Sequence, residues 1–218
     1  MQFPNAYRGV KKIFLAEILM VIVAVCTIVL AIVNSASPNP NEGVVIVLAS
    51  ILGVSGVIAI VALIFQLIGL GQAGKDSGYM RFAFWVVIID LILTAVVTIL
   101  GVFIKDNPVV TSVSGVLKTI DKIASAVVLV FTIFGISILA EQLKDERMVS
   151  RGKFLLNLII VLFILTIGLN IVATFVTVAA DWWVTLIAVF AIVAAVLELV
   201  IYIIYLVYLA SATRMLKK

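Results

Sequence analysis

The chain has 218 residues, of which 65% are hydrophobic and only 12% charged, with a formal net charge of +4. A soluble domain carries about 45–50% apolar and roughly 25% charged residues, so this chain has too much apolar side chain to hide in one core. That excludes a soluble globular enzyme, a disordered chain and a nucleic-acid binder, and leaves a polytopic membrane protein. Histidine is absent and Cys26 is the single cysteine. The usual general base, an internal disulfide and Cys/His metal spacing are therefore missing, and neither a metal nor a cofactor is expected.

A helix needs about 20 mostly apolar residues to cross the ~30 Å hydrocarbon core. Six stretches qualify: Ile13–Val33, Val44–Leu70, Phe82–Ile104, Ile123–Leu139, Phe154–Val178 and Trp182–Leu209. They are continuous runs, unlike the ~10-residue alternating segments of a barrel, so the fold class is all-α. The first stretch also resembles a signal peptide, with basic residues before it and small ones after, around Ser35–Ser37. It is longer than the ~7–15-residue apolar region of a signal and is read as a membrane helix. All four prolines, Pro4, Pro38, Pro40 and Pro108, lie outside the spans, which predicts mostly continuous helices.

The connectors alternate in character. Arg8, Lys11 and Lys12, then Lys75 and Arg81, then Lys144, Arg147, Arg151 and Lys153, then Arg214, Lys217 and Lys218 all belong to one end. Only Lys105, Lys118 and Lys122 remain for the other. The positive-inside rule then places both termini in the cytoplasm of a multi-pass protein of the cell (inner) membrane. Trp182 and Trp183 suit the outer interface and Trp85 the inner one. In 109–122, apolar positions recur at helical spacing, which reads either as an outward projection of the fourth helix or as a separate interfacial helix.

An internal repeat is legible. Leu67–Lys75 aligns with Leu206–Arg214, and Lys75-Asp76 with Lys144-Asp145. The odd helices also open alike, at Lys12-Ile13-Phe14, Arg81-Phe82 and Lys153-Phe154. The expectation is one integral-membrane domain, 1–218, built from three hairpins, roughly 8–76, 77–145 and 146–218. Parallel repeats usually pack about an axis along the membrane normal, which here means a pseudo-threefold six-helix bundle.

Ionisable residues inside spans are costly and are functional candidates by default. Glu17, Asp90 and Glu198 qualify. Ala191, Ala195, Glu198, Tyr202 and Tyr205 share a face of the sixth span, with Glu198 near mid-membrane. Ser55, Ala59, Ala62, Gln66, Gly69 and Ala73 form a matching face on the second, and Ala124, Val128, Phe131, Gly135 and Ile138 on the fourth. Asp90 and Thr94 share a face of the third. Thr166, Asn170, Thr174 and Thr177 form a polar stripe on the fifth. Glu17 lies close to Lys11 and Lys12 and reads as snorkelling to the inner interface or pairing with one of them.

These faces have two explanations. Small residues allow helices to approach closely, and polar ones hydrogen-bond across them. Alternatively, Glu198, Asp90, Gln66, Tyr205, Tyr202 and Asn170 line a ligand or ion pathway. No HExxH, Walker or Gly-x-Ser-x-Gly motif is present, so an enzyme is not expected.

The segments Lys12–Leu19 and Leu67–Lys75 resemble those of a group of small, uncharacterised six-helix bacterial membrane proteins, a resemblance that implies six spans and no particular activity. In size alone the chain is also similar to the substrate-binding subunits of vitamin transporters. The leading expectation is transport or binding of a small molecule or ion in a central polar cavity. The rival is a scaffold or immunity-type protein with a membrane-protein partner. In either case the bilayer is a partner and nucleic acid is not.

Overall fold

The computed structural model describes residues 2–36, 42–103, 108–175 and 181–217. All are helical apart from turns and short ends: α1 (Pro4–Ala36), α2 (Glu42–Ala73), α3 (Gly78–Phe103), α4 (Pro108–Gln142), α5 (Glu146–Phe175) and α6 (Asp181–Lys217). Six helices are long and apolar enough to cross a membrane. Apolar side chains such as Ile46, Ile64, Ile160 and Ile192 face outward. A water-soluble monomer would not tolerate so extensive an apolar surface, whereas lipid accepts it. The chain therefore reads as a multi-pass integral membrane protein. The backbone of 109–122 continues α4 without a break, so this segment is a projection of the fourth helix.

Each helix packs on its neighbour in the chain, and α6 returns onto α1, which closes the bundle. Both termini and the two short turns lie at one end. Phe3, Leu143, Lys144 and Met215 surround a single groove there. This end also holds the basic residues Arg8, Lys75, Arg81, Lys144, Arg147 and Arg214.

Local chemistry fixes this end. The first N–H groups of a helix have no partner within it. The Ala6 N–H donates to Asp76 Oδ2 at 2.7 Å, and the Asn5 amide to Asp76 Oδ1 at 3.1 Å. Asp76, in the α2–α3 turn, thereby ties down the start of α1. The Arg81 Nε–H donates to the Gly74 carbonyl at 3.2 Å and covers the end of α2. The α4–α5 turn is built differently. Asp145 N–H donates to the Ala140 carbonyl and Lys144 N–H to that of Glu141, with Lys144 at φ 57°. This is a Schellman ending with lysine in the left-handed position where glycine is usual. Asp145 Oδ1 then accepts the Met148 N–H at 3.1 Å and caps α5. The two Lys-Asp pairs that align in sequence thus have different tasks, one bracing another helix and the other its own.

The buried apolar residues lie in the half of the bundle nearest this end. Among the described residues they span Ala6–Ala16 on α1, Ala62–Ala73 on α2, Met80–Ala83 on α3, Val128–Ala140 on α4, Met148–Ile159 on α5 and Ile201–Leu216 on α6. Three close approaches make this packing possible. Gly9 on α1 meets Gly69 and Ala73 on α2, with no room for a Cβ on either glycine. Gly152 on α5 meets Ser137 of α4 and Tyr208 of α6, which share a 3.0 Å hydroxyl–hydroxyl hydrogen bond. Gly135 of α4 receives Met80 and Ser77.

Beyond the core the helices are loosely packed. Leu91–Val96 on α3 are all exposed, and neither Ile160–Thr166 on α5 nor Ile192–Val200 on α6 contains a buried residue.

Candidate ligand cavity

A cavity of about 730 Å³ opens where the packed core ends. Small-molecule sites typically occupy ~300–1,000 Å³. Five helices line it. Ile13, Leu70, Thr132 and Tyr205 form the end nearest the core, while Ala24, Ala59, Ala124 and Ala195 stand farther out. These alanines recur on four of the five helices, so the space arises from missing side-chain volume.

Of the six residues singled out from sequence, five line this cavity: Gln66 from α2, Asp90 from α3, and Glu198, Tyr202 and Tyr205 from α6. The side chain of Asn170 lies outside the described residues, as do those of Ala191, Thr174 and Thr177. On α6 the i, i+3, i+4 geometry holds as expected, with Ala195, Glu198, Tyr202 and Tyr205 on one face.

The other two faces divide. On α2, Ala59, Leu63, Gln66 and Leu70 turn to the cavity, while Gly69 and Ala73 pack on Gly9 of α1. Three or four positions make about one turn of helix, so one apparent stripe serves two neighbours. On α4, Ala124 and Val128 line the cavity with Ser125, Leu129 and Thr132. Phe131 instead stacks with Tyr79 and tilts against Phe82 of α3, and Gly135 faces Met80.

Glu17 also lines the cavity, which sequence spacing did not suggest. Its carboxylate accepts a 2.9 Å hydrogen bond from the Tyr202 hydroxyl, which lies 3.0 Å from the Glu17 backbone carbonyl as well. Its polar partner is therefore the tyrosine of α6 and not a neighbouring lysine. α1 begins at Pro4, so Glu17 is thirteen residues, or about 20 Å, along the helix. The legible signal was the stripe Ile13, Ala16, Met20 and Ala24, which shares its face.

Three further polar side chains on the cavity have no hydrogen-bond partner among the described residues. Tyr205 is only 2% exposed, lines the cavity and has no hydrogen-bond partner among the described residues. Neither do the side chains of Gln66 and Glu198. Thr132 spends its hydroxyl on the Val128 carbonyl of its own helix, at 2.7 Å. The ionisable groups among the lining residues are Glu17, Asp90, Glu198, Tyr202 and Tyr205, with no lysine or arginine. Among the described residues, no group of acidic and cysteine side chains has the arrangement of a metal site.

No family model, curated protein or solved structure matches the chain.

Proposed function

We propose that this protein binds, and carries across its membrane, a small molecule or ion held in the cavity between α1, α2, α3, α4 and α6. The observation that supports this most is the coincidence of Glu198, Gln66 and Tyr205, all without hydrogen-bond partners among the described residues, on one cavity. Tyr205 is buried, Gln66 half-buried and Glu198 exposed, and buried polar groups are nearly always paired. A group kept unpaired inside a membrane costs free energy, and a ligand that pairs with it recovers that cost. A purely structural bundle calls for filled space at this level, and the alanines leave it open.

In this reading Glu198 and Asp90 set the charge of the site, Gln66 and Tyr205 orient the ligand, and Tyr202 holds Glu17 in place. Asn170 belongs to the pathway's outer part. The bundle is three parallel hairpins about an axis along the membrane normal. Gly69 meets Ile13 in the first hairpin and Tyr208, which aligns with Gly69, meets Gly152 in the third, which supports the repeat. The end with both termini faces the cytoplasm of a bacterial cell, because the basic residues collect there.

Native mass spectrometry of the protein released from its own membranes tests the reading. A co-purified small molecule or ion is expected on the natural chain and not on Ala195→Trp, which fills the cavity. An identical adduct on both, or reconstituted vesicles whose fluxes do not change with Glu198→Gln, overturns it.

A further inference from the structure

The charge and the open side of the cavity together narrow the ligand class, an inference that rests on the binding reading above. Three carboxyl groups on three helices, Glu17, Asp90 and Glu198, line the space, and no basic residue does so among the lining residues. An anion brought here faces like charges away from water, where burial of an unpaired charge is most costly. A cation finds carboxyl oxygens, two tyrosine rings and an apolar wall. Ring faces attract cations further when water is excluded. The wall includes Leu63, Val87, Leu129 and Leu199, which suits an apolar body more than a hydrated inorganic ion.

The cavity is also open sideways. α5 stands between α4 and α6 in the bundle and packs on both, yet none of its described side chains lines the cavity. At this height Ile160–Thr166 of α5 contain no buried residue. Ser125 of α4 and Leu199 of α6 each line the cavity while being exposed, Leu199 by 60%. Met20 and Ala24 of α1 and Ala195 and Glu198 of α6 also line the cavity while exposed, so the cavity opens through the side of the bundle, which at this height faces hydrocarbon. An apolar cation already partitioned into the bilayer meets this opening before it meets water.

We propose that the cavity takes an amphipathic organic cation, which enters laterally from the bilayer beside Leu199 of α6, and that Glu198 is the carboxylate it reaches first.

Binding to the full-length protein in lipid nanodiscs tests this with three probes: tetraphenylphosphonium, its isosteric anion tetraphenylborate, and rubidium. Saturable binding of tetraphenylphosphonium is expected, at least tenfold weaker in Glu198→Gln and several-fold weaker in Tyr205→Phe. The second variant removes a hydroxyl with no hydrogen-bond partner and serves where the first does not fold. Leu199→Trp is expected to slow association of tetraphenylphosphonium several-fold. Equal binding of tetraphenylborate, or affinities for tetraphenylphosphonium unchanged in the folded variants, overturns the cationic assignment. Unchanged association kinetics in Leu199→Trp overturn the lateral route. Rubidium binding that depends on Glu198, without tetraphenylphosphonium binding, overturns this inference and leaves the cavity reading standing. Failure of every probe, together with the absence of any co-purified adduct, overturns both.

Discussion

The hydroxyl of Tyr202 on α6 reaches across to α1 and meets Glu17 twice, 2.9 Å from its carboxylate and 3.0 Å from its backbone carbonyl. It is a hydrogen-bonded link between the first and last helices, and it sits on the cavity wall. Tyr202→Phe is expected to lower stability by about 0.6–1.7 kcal/mol, the range of interhelical hydrogen bonds in membranes. Glu17→Gln keeps an acceptor and is expected to cost less. Unfolding in a denaturing detergent series measures both. An unchanged midpoint for Tyr202→Phe removes the link from the account of stability.

Glycines on α2 and its neighbour divide into two kinds. A Cβ at Gly69 falls 2.8 Å from the Gly9 carbonyl oxygen and 2.8 Å from Ile13 Cγ1, and one at Gly9 falls 2.6 Å from the Ala73 nitrogen. Gly9→Ala and Gly69→Ala must push α1 off α2, at about 1–3 kcal/mol as for other overpacked cores. A Cβ at Gly53 or Gly56 meets nothing within 4 Å. There alanine is expected to stabilise the helix by about 0.5–1 kcal/mol. Thermal melting of the four variants should therefore show opposite signs for the two pairs. A uniform sign contradicts the packing described.

Asp76 and Asp145 align in sequence but cap different helices. Asp76→Ala releases the Ala6 N–H and the Asn5 amide, and about 1–2 kcal/mol is expected to be lost, comparable to a helix cap. Hydrogen exchange should quicken at the start of α1. Asp145→Ala should instead quicken exchange at Met148, whose N–H it accepts. Both variants acting on the same helix contradict the assignment.

Lys144 has φ 57° in the turn between α4 and α5. A left-handed backbone costs residues other than glycine roughly 1–2 kcal/mol. Lys144→Gly is expected to raise the unfolding midpoint by an amount approaching that, since its side chain is exposed. A lower midpoint shows that the lysine side chain contributes more than its backbone costs.

Orientation is open to a direct test. In a Cys26→Ser background, single cysteines placed at Lys75 and at Arg147 are expected to resist a membrane-impermeant maleimide in intact cells. They should react after the membrane is permeabilised. Labelling in intact cells reverses the proposed topology.

Particular residues show where sequence reasoning reached and where it stopped. The α6 face of Ala195, Glu198, Tyr202 and Tyr205 was legible because one helix's periodicity places its own side chains. The division of α2 between Gln66, which faces the cavity, and Gly69, which faces Gly9, was not. Spacing gives the angle of a side chain about its axis but not which neighbour lies at that angle. Glu17 shows the same limit: its hydrogen bond to Tyr202 and its place on the cavity depend on where α6 lies against α1, which spacing within α1 does not encode.

The opening arithmetic of 65% hydrophobic and 12% charged residues pointed by itself to a membrane protein, and the continuity of the apolar runs to helices, because a backbone in hydrocarbon must satisfy its own hydrogen bonds within a helix or a closed barrel. Apolar run lengths set the number of helices, and the sorting of basic residues set which ends lie together. Only the tertiary structure decided that the core occupies one half of the bundle and that a cavity begins above it. It also decided that carboxyl groups from α1, α3 and α6 share that cavity. Such meetings depend on how helices distant in the chain approach one another, at contacts like Gly9 with Gly69, and no periodicity within a single helix encodes them.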